Sequence, residues 1–247
     1  MPPRLAWITG ASSGIGRALA LHLARAGWRV AASARNAGAL ATLAAEADGI
    51  VAAPLDVTDA DAVVRTVAAI EAEHGPIALA VLNAGTHERM TADDFSVATL
   101  RRLIDLNLMG VAHGLAAVLP GMRARRAGHI AAVASLAGYR GLPTAGAYSA
   151  SKAAVIALCE ALKPDCDRLG IKLQVVNPGF VDTPLTKQNR FAMPFLMPLE
   201  RATAAFARGL ARRRFEILFP WRFAMLLKLA RIVPYRLFFA IVRRMTP

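Results

Sequence analysis

Apolar residues along this chain gather in short, nearly continuous runs: LAWIT at 5–9, WRVAAS at 28–33, IVAAPL at 50–55, IALAVL at 77–82, HIAAVA at 129–134, IKLQVV at 171–176 and FEILF at 215–219. Runs of that length without polar alternation predict strands buried on both faces. Between the first two, Ile15, Leu19, Leu23 and Ala26 recur at helical spacing. Strands alternating with helices predict a doubly wound α/β fold, a seven-stranded parallel sheet with helices on both faces. No internal repeat, low-complexity tract or Gly/Ser linker divides the chain. One domain is therefore expected over 1–220, followed by a C-terminal helical extension over 221–247 in which Pro234 separates two short helices. Pro164 predicts a kink or an end to the helix that contains it.

With 247 residues and 55% hydrophobic content, the chain has ample material for one well-buried core. The opening MPPRLAWITG reaches its first apolar strand by Leu5, which leaves no room for a signal peptide and implies a cytoplasmic protein. Cys159 and Cys166 read as two small buried thiols rather than a disulfide. The five histidines lack the short repeated spacings of zinc sites, so no metal is expected. Charge changes the picture only at the C-terminal end. Eleven of the 30 Lys and Arg residues fall after Glu200 against one carboxylate, Glu216, so +10 of the net +13 belongs to residues 201–247.

The first strand runs directly into TGASSGIG and then a helical pattern. Glycines at a strand-to-helix turn let backbone approach a pyrophosphate, whose charge suits the exposed amides of the helix start. The spacing Gly10, Gly14, Gly16 differs from the common G-x-G-x-x-G fingerprint. At the end of the second strand, NAD sites place an acidic residue about 20 residues beyond the glycines. This chain has Ala34 and Arg35 there, and a guanidinium suits a 2′-phosphate. The alternative for Arg35 is a solvated arginine opening a loop. Further on, AYSASK places Tyr148 and Lys152 four residues apart, neighbours on a helix surface. An ammonium beside a phenol favours the phenolate and so makes a proton-transfer group.

In motif order and spacing over residues 4–220, the sequence resembles the short-chain dehydrogenase/reductase family. TGASSGIG resembles its cofactor turn, with Gly10, Ser12, Ser13, Gly14, Ile15 and Gly16. LDVTD resembles its adenine-side segment, with Asp56 and Val57. LNAG supplies Asn83, Ala84 and Gly85, Leu82 standing where the family often has Asn. DLNLMG supplies Asn107, VASLAG supplies Ser135, YSASK supplies Tyr148 and Lys152, and NPGFVDTP supplies Pro178, Gly179, Val181 and Thr183 along the nicotinamide. The resemblance implies a Rossmann-like fold and an NADP(H)-preferring oxidoreductase interconverting a carbonyl and an alcohol, with NAD(H) also compatible. It implies Tyr148 as proton donor and acceptor, Lys152 on the nicotinamide ribose, Ser135 on the substrate oxygen and Asn107 holding a water. It also implies a homodimer or homotetramer. The alternative class is a non-catalytic dinucleotide-binding redox sensor, which need not keep the tyrosine and lysine.

Two segments leave alternatives open. After the nicotinamide strip, Phe191, Met193, Phe195, Leu196 and Met197 fall where the family places its substrate lid. They suit an apolar substrate or equally the lid's own packing. The tail WRFAMLLKLARIVPYRLFFAIVRRM mixes basic and bulky apolar residues without an apolar run long enough to span a bilayer. In its last helix Arg236 and Arg243 share one face, with Leu237, Phe238, Ile241 and Val242 largely elsewhere. Such a tail reads either as a peripheral contact with the inner face of a membrane or as packing against a subunit or the core. No nucleic-acid motif accompanies its charge.

Overall fold

The computed structural model describes residues 4–188 and 193–243, so the lid position Phe191 lies outside the described residues. Seven strands form one sheet: β1 (Leu5–Thr9), β2 (Arg29–Ser33), β3 (Ile50–Ala52), β4 (Ile77–Leu82), β5 (Gly128–Val133), β6 (Ile171–Pro178) and β7 (Glu216–Phe219). All pair in parallel in the order β3-β2-β1-β4-β5-β6-β7. Each of the seven apolar runs thus becomes a strand. IVAAPL is cut to Ile50–Ala52 as a strand, although Ala53 and Leu55 still donate to the Ala32 and Ala34 carbonyls of the neighbouring chain segment, and Pro54 between them turns its nitrogen to the open edge of the sheet.

Alternation along each strand supplies two cores. In β1, Leu5 and Trp7 join one apolar cluster while Ala6 and Ile8 join the other. The Trp7 indole is fully buried and donates to Ser33 Oγ at 3.0 Å, so its one polar atom is satisfied. The Ile8 side is covered by α1 (Gly14–Arg25), α2 (Ala37–Glu46) and α7 (Leu199–Leu210), through residues such as Leu19, Leu40, Leu43 and Phe206. The Trp7 side is covered by α3 (Ala60–His74), α5 (Gly110–Ala124) and α6 (Gly146–Arg168). Leu82 belongs to this second core, and a Cβ on Gly114 would lie 2.5 Å from its Cδ2, so α5 is seated directly on it.

A short α4 (Val97–Ile104) continues through a π-helical turn, Asp105–Met109, into α5. The combined run 97–124 is long and apolar enough to cross a membrane, yet Leu103, Asn107, Val111, Leu115, Val118 and Met122 are buried inside the fold. Helix α6 runs through Pro164 to Arg168 and so departs from the expected break. The proline forfeits one backbone bond, to Glu160, but burial of Cys159 and Cys166 on either side keeps both halves on the same core face. Both cysteines are buried free thiols.

Beyond β7 the chain forms α8 (Trp221–Ile232) and α9 (Tyr235–Arg243), separated at Pro234. Ala224 is buried in the Trp7-side core, with Phe223 and Leu227 packed against it. Arg140 fastens the pair. Its guanidinium donates to the carbonyls of Ala230 and Val233 where α8 ends, the latter at 2.7 Å, and lies 4.0 Å from the Phe238 ring centre and 4.8 Å from that of Tyr235. A cation at a helix C-terminus is attracted by the negative end of the helix dipole, and two rings complete its shell.

Candidate active site

The sheet order reverses between β1 and β4, where an open α/β sheet places its ligand crevice beyond the strand C-termini. TGASSGIG leaves β1 there and NAG leaves β4. Gly10 and Gly14 have φ of +66° and +53°, conformations that suit glycine. A Cβ on Gly10 would lie 2.8 Å from Ala84 Cα, and one on Gly16 would lie 2.5 Å from both Asn83 Nδ2 and the Gly10 carbonyl oxygen. Thr9 Oγ1 accepts the backbone N–H groups of Asn83 at 2.9 Å and Ala84 at 3.0 Å. Asn83 Nδ2 donates to the carbonyls of Thr9 at 3.0 Å and Gly10 at 3.3 Å. The two loops are therefore one unit. Ser13 stands at the start of α1 without a side-chain capping bond, which leaves the first amides of that helix open to a ligand.

A cavity of about 500 Å³ begins at this turn. Gly10, Ser12, Ser13, Gly14 and Ile15 line its floor, Arg35, Asp56 and Val57 one end, and Asn83, Ala84 and Gly85 its middle. Ser135, Tyr148, Lys152, Pro178, Gly179, Val181 and Thr183 line the other end. Gly16 and Asn107 lie behind this wall. Thr183 closes over the turn, its Cγ2 3.3 Å from where a Cβ on Gly14 would stand. At the far end, Asp56 Oδ1 accepts from the backbone N–H of Thr58 at 3.0 Å and its hydroxyl at 2.8 Å. The Thr58 amide, with smaller help from Arg35, holds the Asp56 carboxyl below its usual range despite some burial. Arg35 itself is exposed and has no ion pair with a carboxylate among the described residues.

Three elements bring Ser135, Asn107, Tyr148 and Lys152 together. Ser135 follows β5, is 8% exposed, and lies 3.3 Å from the Pro178 carbonyl oxygen, to which its hydroxyl donates. Tyr148 and Lys152 stand one turn apart in α6. Asn107 is fully buried in the π-helical turn, where an extra residue re-aims the side chain inward. Its Oδ1 accepts from Thr86 N–H at 2.8 Å, while Nδ2 donates to the Thr86 carbonyl at 2.9 Å and to Ser151 Oγ at 3.0 Å. A Cβ on Gly85 would meet Asn107 Oδ1 at 3.0 Å and Lys152 Nζ at 3.2 Å, so only glycine leaves both groups in place.

The electrostatics correct one expectation. Lys152 Nζ lies 6.0 Å from the centre of the Tyr148 ring and donates to the Val133 carbonyl at 2.8 Å. Burial pushes the Tyr148 hydroxyl up, a hydrogen bond with Ser135 opposes this only in part, and Lys152 does not contribute. Spacing on the helix makes the two residues neighbours, but the ammonium is drawn to a backbone oxygen of the sheet. Burial also lowers Lys152 to about 8, so its charge switches near neutral pH.

Four further residues, which the motifs alone do not single out, shape the site. Thr9, Thr86 and Ser151 act through hydrogen bonds between distant segments. His87 packs edge-on against the Tyr148 ring, with centres 5.0 Å apart, and burial lowers its pKa despite the opposing Glu88. Its position two residues after the NAG turn is the only clue the sequence offered. Of the lid residues described, Phe195 and Leu196 are 45% and 44% exposed. Met197 pairs with the strip, its N–H donating to the Phe180 carbonyl at 2.9 Å and its carbonyl accepting from Asp182 N–H at 2.9 Å.

Residues 4–193 match the family model described as short chain dehydrogenase. Over 99% of its length the chain is 43% identical to an uncharacterized oxidoreductase of Myxococcus xanthus, 98% of which is covered. A short-chain dehydrogenase/reductase from Burkholderia phymatum, solved in complex with NAD, superposes with a TM-score of 0.84 at 27% identity, covering 93% of each chain. A short-chain dehydrogenase from Sphingobium yanoikuyae, solved in complex with NADPH, does so with a TM-score of 0.80 at 27% identity over 88% of each chain. On the family match and the 43% identity over nearly its whole length, the chain belongs to the short-chain dehydrogenase/reductase family of NAD(P)(H)-dependent oxidoreductases that act on CH–OH groups.

Proposed function

We propose that this protein interconverts a carbonyl and an alcohol on an apolar substrate, using NADP(H) in preference to NAD(H). The carrying observation is that one cavity has the glycine turn and Arg35 at one end and Ser135, Tyr148 and Lys152 at the other. The cradle over Gly10 and Gly16, where a Cβ would collide, suits the close approach of a pyrophosphate. Arg35 supports the phosphorylated form, because its unpaired guanidinium stands where an NAD site needs a carboxylate. Asp56, the nearby acid, is already engaged by Thr58.

When bound, the nicotinamide supplies a hydride to the substrate carbon or accepts one from it. The protein's own task is the proton and the oxygen. In reduction the Tyr148 hydroxyl protonates the developing alkoxide, and a phenol held in its neutral form by burial is in the correct state to donate. Ser135 donates a second hydrogen bond to the same oxygen as charge builds on it. Lys152, charged below about pH 8, holds the cofactor ribose and returns a proton to Tyr148. Asn107 positions these groups by tying Thr86 to Ser151 beneath Gly85. An apolar substrate is supported by the aromatic stack that adjoins the cavity-lining Gly179, in which Phe180 stacks on Phe223 of α8 at 5.6 Å. Phe223 in turn stacks on Phe195 of the lid at 5.8 Å.

The test is consumption of NADPH by the purified protein against a panel of aldehydes and ketones that includes long-chain and polycyclic carbonyls. Tyr148→Phe is expected to keep NADPH affinity and to lower kcat by about a thousandfold. Unchanged turnover refutes the assignment. Arg35→Ala is expected to reduce the NADPH-over-NADH ratio of kcat/KM by about tenfold or more. A wild-type protein equally efficient with NADH removes the cofactor preference while leaving the oxidoreductase intact.

A further inference from the structure

Helix α8 is apolar on two sides. One side packs on the fold through Phe223, Ala224 and Leu227. The opposite side carries Trp221, Met225, Leu229 and Ile232, exposed by 63%, 42%, 58% and 77%. Their i, i+4, i+8, i+11 spacing makes a single stripe about 16 Å long. Leu226 widens it. Surface helices ordinarily turn polar residues outward, so a long outward apolar stripe calls for a covering partner.

Charge identifies the partner. Arg222, Arg231, Arg236 and Arg243 are exposed on α8 and α9, and none is ion-paired with a carboxylate among the described residues. Lys228 is the exception, neutralised by Glu216. No acidic residue follows Glu216. The Arg222 guanidinium lies 5.6 Å from the centre of the Trp221 ring, so a cation and an indole stand together at the start of the stripe. A second copy docked on this face about a two-fold axis would oppose the same four arginines to themselves across an apolar contact, with no carboxylate to separate them. Nucleic acid would meet the charges but leave the stripe uncovered. A bilayer with anionic headgroups satisfies both, apolar side chains entering the acyl boundary while arginines extend to the phosphates.

We propose that the outer face of α8, with the arginines of α8 and α9, docks the protein on the surface of a membrane rich in anionic phospholipid. The inner contacts support this by holding the platform rigid. Arg140 clamps the end of α8 against α9, and Lys228 ties α8 to β7, so the stripe is displayed without unfolding the tail.

The experiment is co-sedimentation of the full-length protein with equimolar phosphatidylcholine–phosphatidylglycerol vesicles and with pure phosphatidylcholine vesicles. Binding is expected to be about tenfold or more stronger to the anionic vesicles and to weaken as salt is raised. Two triple variants separate the contributions: Trp221→Gln with Leu229→Gln and Ile232→Gln, and Arg222→Gln with Arg236→Gln and Arg243→Gln. Each alters exposed side chains, so each should keep the thermal midpoint and NADPH affinity while losing most vesicle binding. A wild-type protein that stays in the supernatant overturns the proposal, as does equal binding to both vesicle types or full binding by either variant. A concentration-dependent dimer in sedimentation equilibrium that the apolar variant abolishes would assign the face to subunit contact instead.

Discussion

Replacing Gly16 by Ala tests the cofactor cradle at its tightest point. The new Cβ would stand 2.5 Å from Asn83 Nδ2 and from the Gly10 carbonyl oxygen. The carbonyl is backbone and cannot swing away. The Asn83 amide can move only by giving up its bonds to the Thr9 and Gly10 carbonyls. Overpacking of this kind costs about 1–3 kcal/mol, and two lost hydrogen bonds add about 1 kcal/mol each. Alanine in the first turn of α1 returns up to about 1 kcal/mol of helix propensity. The net loss is about 2–4 kcal/mol, which for a chain of this size lowers Tm by roughly 4–8 °C. Because the collision is with the turn itself, the loss appears without cofactor. A displaced turn also binds the pyrophosphate less well, so the Tm increase induced by NADPH should shrink. Differential scanning fluorimetry with and without NADPH measures both effects. Gly38→Ala is the control, since its Cβ would meet only the Asn36 side chain at an ordinary 3.5 Å within helix α2, and it should be neutral or stabilising. A Gly16→Ala protein with wild-type Tm and wild-type NADPH response refutes the geometric argument.

Three further outcomes are expected. Lys152 is an ammonium below about pH 8 and a neutral amine above it, so kcat/KM for carbonyl reduction should be flat below that value and fall above it; a profile still flat at pH 9.5 would contradict the relay role. Asn107→Ala removes three buried hydrogen bonds and strands the Thr86 backbone groups, which should cost about 2–4 kcal/mol in urea unfolding. Lys228→Met removes a partly exposed partner of Glu216. Burial raises that carboxyl, yet hydrogen bonds from Lys228, Tyr139 and Asn177 outweigh it and hold it below its ordinary 4.5. The depressed pKa contributes stability that is present above about pH 4.5 and lost as pH falls further. The variant should therefore lose about 1 kcal/mol at pH 7 after solvent screening and be closer to wild type at pH 3.5.

The strands were legible because a doubly covered parallel sheet demands apolar residues on both faces, and LAWIT or IALAVL satisfies that demand by composition alone. That most of the candidate residues would line one cavity was legible for a related reason: they sit at strand ends and helix starts, where local motifs such as TGASSGIG, NAG and YSASK fix the geometry within a few residues. What stayed hidden depends on distance in sequence. Pro164 reads as a helix breaker locally, but the buried cysteines flanking it decide the outcome. Arg140 has no motif, since it acquires its role only when a tail some ninety residues later returns to lie against it. The Tyr148–Lys152 spacing foretells proximity but not direction, because the Val133 carbonyl that captures the ammonium comes from strand β5, outside the helix.

That long-range layer joins the tail to the chemistry. Glu216 opens β7, and one of its carboxylate oxygens accepts from both the Tyr139 hydroxyl and Asn177 Nδ2 while the other accepts from Lys228 of α8. Tyr139 closes the short turn that begins at Ser135, and Asn177 immediately precedes Pro178, so two segments that line the cavity share this carboxylate with the tail. The aromatic stack makes the same connection through apolar contact, from Phe180 beside the nicotinamide strip to Phe223 of α8. Helix α8 is thus tied to the segments that line the cavity both by an ion pair and by stacked rings. On this reasoning the extension belongs to the substrate side of the enzyme. Its loss would leave Glu216 without Lys228 and would uncover Phe180 and the core behind Ala224 together.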